Sequence, residues 1–103
     1  MALTPQARET FTRLFGAEPQ PHPTDPELFD ILQNEIFDEA FSTGVLTDVE
    51  RELLTISVLT AMQTLPQLKA HAGAALNIGA TPLQLRETIY QCAPYIGFPK
   101  TLN

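Results

Sequence analysis

The stretch from Thr47 to Gly97 decides the fold, and it opens with LTDVERELLTISVLTAMQ at residues 46–63. After Thr64 it continues with LPQLKAHAGAALNIGATPLQLRETIYQ at residues 65–91. Apolar residues recur in both segments at three- and four-residue spacing, which is the spacing of one helix face. Gly79, the second of two glycines in that segment, separates two helical runs. The stretch therefore predicts three consecutive helices joined by short turns.

The first of these, helix three of the chain, has the strongest start signal. Thr47 followed by Glu50 is the pattern of a capping box, in which each side chain accepts a backbone N–H near the other. Residues 53–62 are apolar over most of the circumference, as in a helix buried in a bundle or across a subunit interface. Their β-branched content would also suit a strand. The length and the cap favour a helix, and no later run is suited to pair with it.

The next two helices are delimited by proline, threonine and glycine. Pro66 begins helix four, and Gly79 supplies a left-handed residue that ends it. Helix five begins at Thr81 with a second capping pattern, and we expect it to end where Pro94 interrupts the hydrogen-bond ladder. Residues 99–103 contain a proline that suits a further helix start, and we expect that helix to be absent or cut short.

Two helices are predicted before this stretch. Thr4 caps a short one that ends at Gly16, and residues 17–23 form a proline-rich linker. Helix two opens at Thr24 or Asp25, with a Thr24 capping box, and ends at Gly44. Its predicted apolar face consists of Leu28, Ile31, Leu32, Phe37, Ala40 and Phe41. Its acidic residues are expected to face water or a partner subunit. A metal site is not expected there, because no histidine on the same helix accompanies them.

The chain as a whole is expected to be all-α, with about five helices in a compact bundle. We expect one domain over residues 1–103, with 1–23 as an N-terminal helix and linker and 24–103 as the helical core. The formal charge of −6 and the pI of about 4.6 argue against nucleic acid or anionic membrane as partners. Cys92 is the single cysteine, so no intrachain disulfide forms, and the absence of a signal-peptide pattern favours a cytoplasmic location.

A set of short motifs follows in order along the second half of the chain. They read Arg51-Glu52-Leu53, His71, Ala75-Leu76-Asn77-Ile78-Gly79, Thr81, Glu87 and Tyr95-Ile96-Gly97-Phe98-Pro99. In content and order they resemble the carboxymuconolactone decarboxylase family, which has an alkylhydroperoxidase-like fold. The resemblance implies a small subunit without cofactor or metal that assembles into trimers or hexamers, with active sites near subunit contacts. A chain this small also has too little core to bury all its apolar helix surface alone.

The resemblance also implies a chemistry. The peroxide-reducing branch of the family has a Cys-x-x-Cys pair where this chain has Thr64 and Gln67, so thiol peroxidase activity is not expected. The other branch removes carbon dioxide from a carboxylated lactone or a related small acid during breakdown of aromatic compounds. There His71 would return a proton to carbon, since histidine titrates near neutral pH, and Glu52 would orient it or hold it charged.

Residue type and proximity in the sequence give candidates for substrate binding. Arg51 or Arg86 would hold the substrate carboxylate, and Tyr95 is a further candidate because it opens the matched Y-x-G-x-P motif. Structural alternatives stay open for each of these residues. Glu52 also suits the first turns of a helix, His71 a hydrogen-bonded core or interface position, and Tyr95 a ring packed at the helix exit. At the level of function, the alternative is a non-catalytic oligomeric binding or assembly protein with the same fold.

One geometric prediction decides between these interpretations. Glu52 and His71 should approach within hydrogen-bond reach, or across one water, in a pocket near a subunit boundary. Side chains on opposite faces, separated by packed core, would contradict the catalytic interpretation.

Overall fold

The computed structural model describes residues 2–103, and over these residues it contains six α-helices and no strand. The helices are α1 Pro5–Phe15, α2 Pro26–Asn34, α3 Asp48–Met62, α4 Leu65–Asn77, α5 Pro82–Ile96 and α6 Phe98–Leu102. A π-helical segment, Glu35–Ala40, and a 3₁₀ turn, Phe41–Thr43, extend α2. The all-α prediction is confirmed. None of the helices in the described range is long and apolar enough to cross a bilayer.

The helices form two units, residues 2–46 and Thr47–Asn103. The first unit contains α1, α2 and the two short helical segments that follow α2. The second contains α3 to α6, and with them every residue to which the sequence assigned a functional role. That the whole chain is one domain stays a prediction.

In the N-terminal unit, Thr4 joins α1 to the end of α2. Its hydroxyl accepts the backbone N–H of Ala7 at 3.1 Å, the cap expected from the sequence, and also donates to Oδ2 of Asp38 at 2.7 Å. Its backbone N–H donates to Oδ1 of Asn34 at 2.9 Å. An aromatic cluster packs beside it, formed by Phe11, Phe15, Phe37 and Phe41. This small core therefore depends on α1 and on the two short segments that extend α2.

The start of α2 differs from the prediction. Asp25 is the N-cap, and no side chain caps the helix, so the Thr24 capping box is wrong. The Thr24 hydroxyl instead donates to Oδ2 of Asp25 at 2.8 Å, and Nδ1 of His22 accepts the backbone N–H of Asp25 at 3.1 Å. His22 therefore helps to organise this turn. Gly44, with a φ of 83°, ends the helical region as predicted.

The predicted apolar face of α2 is only partly buried. Phe37 is buried against the α1 aromatics, whereas Leu28, Ile31 and Leu32 are exposed. Gln33 is buried in their place. The N-terminal unit offers one other helix to cover α2, and the π-helical segment shifts the register between the two ends of the face. A simple helical period extended over the whole segment could not show that shift.

The C-terminal unit is organised around α3, which packs against α4, α5 and α6. Its capping box is present as predicted: Glu50 accepts the backbone N–H of Thr47 at 2.9 Å, and Thr47 accepts that of Glu50 at 3.1 Å. One line of residues spaced four apart is fully buried, namely Glu52, Ile56 and Thr60. This line faces the neighbouring helices.

The opposite side of α3 remains exposed. Leu54, Val58 and Met62 also follow four-residue spacing, and each is exposed. A helix apolar nearly all round was expected to be buried in the bundle, and for this side that expectation is wrong within one chain. Burial across a subunit interface, the other interpretation of the same pattern, stays a prediction.

The boundaries of α4, α5 and α6 agree only in part with those predicted from the sequence. The α5 capping box between Thr81 and Gln84 is present, and Gly79 has a φ of 111° just after α4. Pro94 does not end α5, which continues to Ile96. The missing N–H of Pro94 leaves only the carbonyl of Tyr90 without its helical donor, and Tyr90 is exposed, so the loss falls where water can compensate. The final helix is present but short, as Phe98–Leu102.

Candidate active site

Glu52 and His71 meet between the first two helices of the C-terminal unit. Nδ1 of His71 lies 2.8 Å from Oε2 of Glu52, within hydrogen-bond reach. The Glu52 side chain is 0% exposed and that of His71 is 18% exposed. The predicted approach of the two side chains is therefore confirmed, and the histidine is the partner that solvent or a ligand can reach. The pocket around the pair and the nearby subunit boundary stay predictions.

The sequence places Glu52 inside because of its position on α3. It is one turn before Ile56 on the buried line, so the fold of the helix takes the carboxylate into the interior. A buried carboxylate is costly unless it is paired, and His71 provides a partner for Oε2 only. Oε1 of Glu52 is buried and has no hydrogen-bond partner among residues 2–103. Such a side chain lowers stability, which points to a role other than holding the fold together.

The small residues of α4 bring His71 to the carboxylate. Ala74 and Ala75 are buried, so the helix surface beside His71 has little side-chain bulk and α3 can approach it closely. Gly73 is not needed for this approach, because a Cβ added there would meet nothing within 4 Å. The contact is therefore set by the alanines on the buried side of α4.

The other predicted site residues are not brought to the pair. Arg86 is exposed on α5, and Tyr95 is 82% exposed near its end. Neither forms a hydrogen bond or ion pair with Glu52 or His71 within the described part of the chain. A Tyr95 ring packed at the helix exit, one of the two interpretations, is wrong. Arg51 is half-buried directly before Glu52 on α3, and all three substrate-binding roles stay predictions.

A cavity of about 220 Å³ lies along the same helices. Its lining is mostly apolar and consists of Ile56, Leu65, Leu68, Lys69, Ala72, Leu85, Ile89 and Asn103. Glu52 and His71 do not line it, but Ile56 is one turn after Glu52 and Ala72 directly follows His71. Lys69 was missed in the sequence. The available signal was its place in the apolar series 65, 68, 69 and 72, which follows helical spacing.

The positions that matter for thiol chemistry lie where the sequence put them. Thr64 is the N-cap of α4 and Gln67 is in its first turn, one turn before His71. Cys92 lies apart on α5, half-buried, with Sγ 3.5 Å from the carbonyl oxygen of Thr88. Among residues 2–103, no three histidine, cysteine or acidic side chains cluster closely enough to share a metal ion.

The C-terminal unit is thus a small all-α unit in which a buried glutamate on one helix pairs with a histidine on the next. This chain belongs to the Carboxymuconolactone decarboxylase family, whose model matches residues 26–103. It is similar to the 4-carboxymuconolactone decarboxylase of Acinetobacter baylyi, with 38% identity over 61 residues, or 59% of this chain. The match spans about half of that relative, 46% of its length.

Proposed function

We propose that this protein is a cofactor-free decarboxylase of a carboxylated lactone or a related small acid formed in the breakdown of aromatic compounds. The observation that supports this most strongly is the 2.8 Å contact between His71 and the buried Glu52. Membership of the family and the similarity to a 4-carboxymuconolactone decarboxylase agree with it.

The reaction breaks one carbon–carbon bond and forms one carbon–hydrogen bond. The bond to the carboxylate cleaves, carbon dioxide leaves, and the electron pair is delocalised into the conjugated lactone carbonyl. The His71 imidazolium then gives its proton to carbon and later regains one from water. Glu52 accepts a hydrogen bond from Nδ1 of His71 and so fixes the ring orientation. The 18% exposure of His71 supports access for this transfer.

A cation would hold the substrate carboxylate before it leaves. Arg51 is the better supported of the two predicted arginines, because it adjoins Glu52 on α3 and is half-buried. Arg86 is on α5 and forms no hydrogen bond or ion pair with Glu52 or His71 in the described chain. A guanidinium binds a carboxylate through two parallel N–H donors, which would also orient the substrate.

Self-association to a trimer or hexamer belongs to the same proposal. Leu54, Val58 and Met62 form an exposed apolar line on α3, and a second copy would remove them from water. These residues equally favour the alternative function, an oligomeric binding or assembly protein without turnover. The two functions differ in whether a reaction is catalysed, and both include self-association.

The test is the release of labelled carbon dioxide from 4-carboxymuconolactone by the purified protein. We expect release above the buffer rate, and a loss of about 100-fold or more in His71→Gln, since a positioned general acid contributes on that order. Lys100→Met, which changes the charge at an exposed position of α6, is the control and should match the wild type. Release no faster than in buffer would overturn the decarboxylase and leave the binding protein. An unchanged rate in His71→Gln would contradict the role of His71 as the proton donor.

A further inference from the structure

We propose that Lys69 and the apolar cavity form a carboxylate-binding subsite, which takes a small organic acid by its apolar body and one carboxylate. Lys69 is then a residue that positions the ligand from the cavity side, in addition to the arginine proposed for the substrate carboxylate. This inference rests on the proposed function for its biological meaning, but the binding that it predicts can be measured without turnover.

The cavity has the composition of a small-molecule site. Three helices line it with apolar side chains: Ile56 from α3, Leu65, Leu68 and Ala72 from α4, and Leu85 and Ile89 from α5. Its volume of about 220 Å³ is below the usual range for drug-sized ligands, so it selects a compact molecule of roughly ten heavy atoms. Lys69 is the one charged side chain in its lining. That combination fits a small amphipathic anion.

The charge of Lys69 is available to such a ligand. Arg8 and Arg13 form ion pairs with Glu18 and Glu9, at 3.0 and 3.6 Å. No acidic side chain among residues 2–103 forms an ion pair with Lys69. Lys69 shares this lack of an acidic partner with Arg86 and Lys100 among residues 2–103, but of these three only Lys69 lines the cavity. An incoming carboxylate would supply the missing counter-charge.

The helical geometry of α4 relates this subsite to the Glu52–His71 pair. Successive residues turn by about 100°, so Lys69 and His71 project to different sides of the helix. The arc between them carries Leu65, Leu68 and Ala72, and all three line the cavity. A molecule seated there would have Lys69 on one flank and His71 toward the other. Lys69 can thus anchor a ligand while its remaining part extends toward the histidine.

The experiment uses two probes of nearly equal shape, the anion phenylacetate and the neutral phenylacetamide, titrated into the full chain. Methyl signals of Ile56, Leu85 and Ile89 in NMR spectra report occupancy of the cavity. We expect phenylacetate to bind about three- to tenfold more tightly than phenylacetamide, with the preference falling as salt is raised, because the lysine is exposed. Lys69→Arg should keep the preference.

Lys69→Met is the decisive variant, because it keeps the aliphatic stem and removes the charge. The preference for phenylacetate should disappear, whereas Lys100→Met, which makes the same change away from the cavity, should retain it. Equal loss in both lysine variants, retention in Lys69→Met, or no shift of the cavity methyls would overturn the proposal.

A further variant separates this proposal from the proposed decarboxylation. His71→Gln should leave the phenylacetate affinity within about twofold while carbon dioxide release is lost. If the wild type binds phenylacetate as expected but releases no carbon dioxide, the subsite is supported and the proposed decarboxylase is contradicted. If the wild type releases carbon dioxide but its cavity binds neither probe, the subsite is contradicted and the proposed decarboxylase is supported.

Discussion

Nδ1 of His71 lies 2.8 Å from Oε2 of Glu52, and this contact joins α3 to α4 in the interior of the C-terminal unit. The two partners differ in access, since the glutamate is sealed from solvent and the histidine is 18% exposed. The second oxygen of the carboxylate, Oε1, is buried without a hydrogen-bond partner among residues 2–103. The arrangement orients the imidazole at a cost in stability, which is the relation expected at a functional site.

The first prediction concerns that cost. Glu52→Met should change the free energy of unfolding by no more than about 1 kcal/mol, because removal of a buried, unsatisfied oxygen offsets the lost partner of Nδ1 of His71. The same variant should lose carbon dioxide release. Urea unfolding followed by circular dichroism would measure the first effect, and the labelled substrate the second.

Glu52→Gln is the matched control for this variant, since it keeps the shape and a hydrogen-bond acceptor without the charge. We expect its stability to stay below that of Glu52→Met, because a buried amide still needs partners. A loss of about 3 kcal/mol or more in Glu52→Met would show that the pair chiefly holds the fold together.

The second prediction compares two helix caps in the same unit. Thr47→Ala should lower the free energy of unfolding by about 1 kcal/mol, because its hydroxyl caps α3 by accepting the Glu50 N–H. Thr64→Ala should cost less, since Thr64 is the N-cap of α4 but makes no side-chain cap bond. Chemical denaturation of both variants checks this, and equal losses would contradict the assignment of the caps.

The third prediction is a pH dependence. Hydrogen bonds from Thr47, the backbone one first and the side-chain one second, hold the pKa of Glu50 below its usual range. A carboxyl with a lowered folded-state pKa stabilises the fold above its unfolded value of about 4.3, and this stabilisation is lost as the pH falls through the folded value. The wild type should therefore lose stability more steeply below about pH 5 than Glu50→Gln does.

Glu87→Gln is the control, because it removes the same charge from an exposed position of α5 that belongs to no cap. It should follow the wild-type slope when the free energy of unfolding is measured from pH 6 downward. A Glu50→Gln slope identical to that of the wild type would mean that the cap does not favour the ionised carboxylate.

Local chemistry explains how much of this structure the sequence could predict. The capping box of Thr47 with Glu50 lies within four residues and is present as predicted. The approach of Glu52 to His71 was also predictable, because consecutive helices joined by a short turn run side by side in opposite directions. Family resemblance then selected these two residues from the other acids and bases.

The features that sequence missed depend on packing over longer distances. The π-helical segment Glu35–Ala40 changes the register of the face on which Leu28 was expected to be buried. Pro94 is tolerated inside α5 because the carbonyl it leaves unpaired belongs to an exposed residue. The role proposed for Lys69 depends on a cavity lined by three helices. The periodic pattern of one helix could not predict that cavity.

The fourth prediction places cysteines at the start of α4. Thr64→Cys combined with Gln67→Cys, in a Cys92→Ala background, should form a disulfide within each chain after mild oxidation. Thr64 is the N-cap and Gln67 is in the first turn, a spacing that normally keeps the two Cα atoms within roughly 7 Å. The helix N-terminus also favours the thiolate that attacks. Thiol titration before and after oxidation measures it, and thiols that stay free, or couple only between chains, would contradict the placement.

The most direct test of the central claim, that Glu52 and His71 act as one unit on a proton, is a double-mutant cycle on carbon dioxide release. The rates of the wild type, Glu52→Gln, His71→Gln and the double variant are compared at saturating 4-carboxymuconolactone. Residues that act as a unit give strongly non-additive losses. We predict that adding Glu52→Gln to His71→Gln lowers the remaining rate by less than about twofold. A double variant whose loss equals the product of the two single losses would contradict the account.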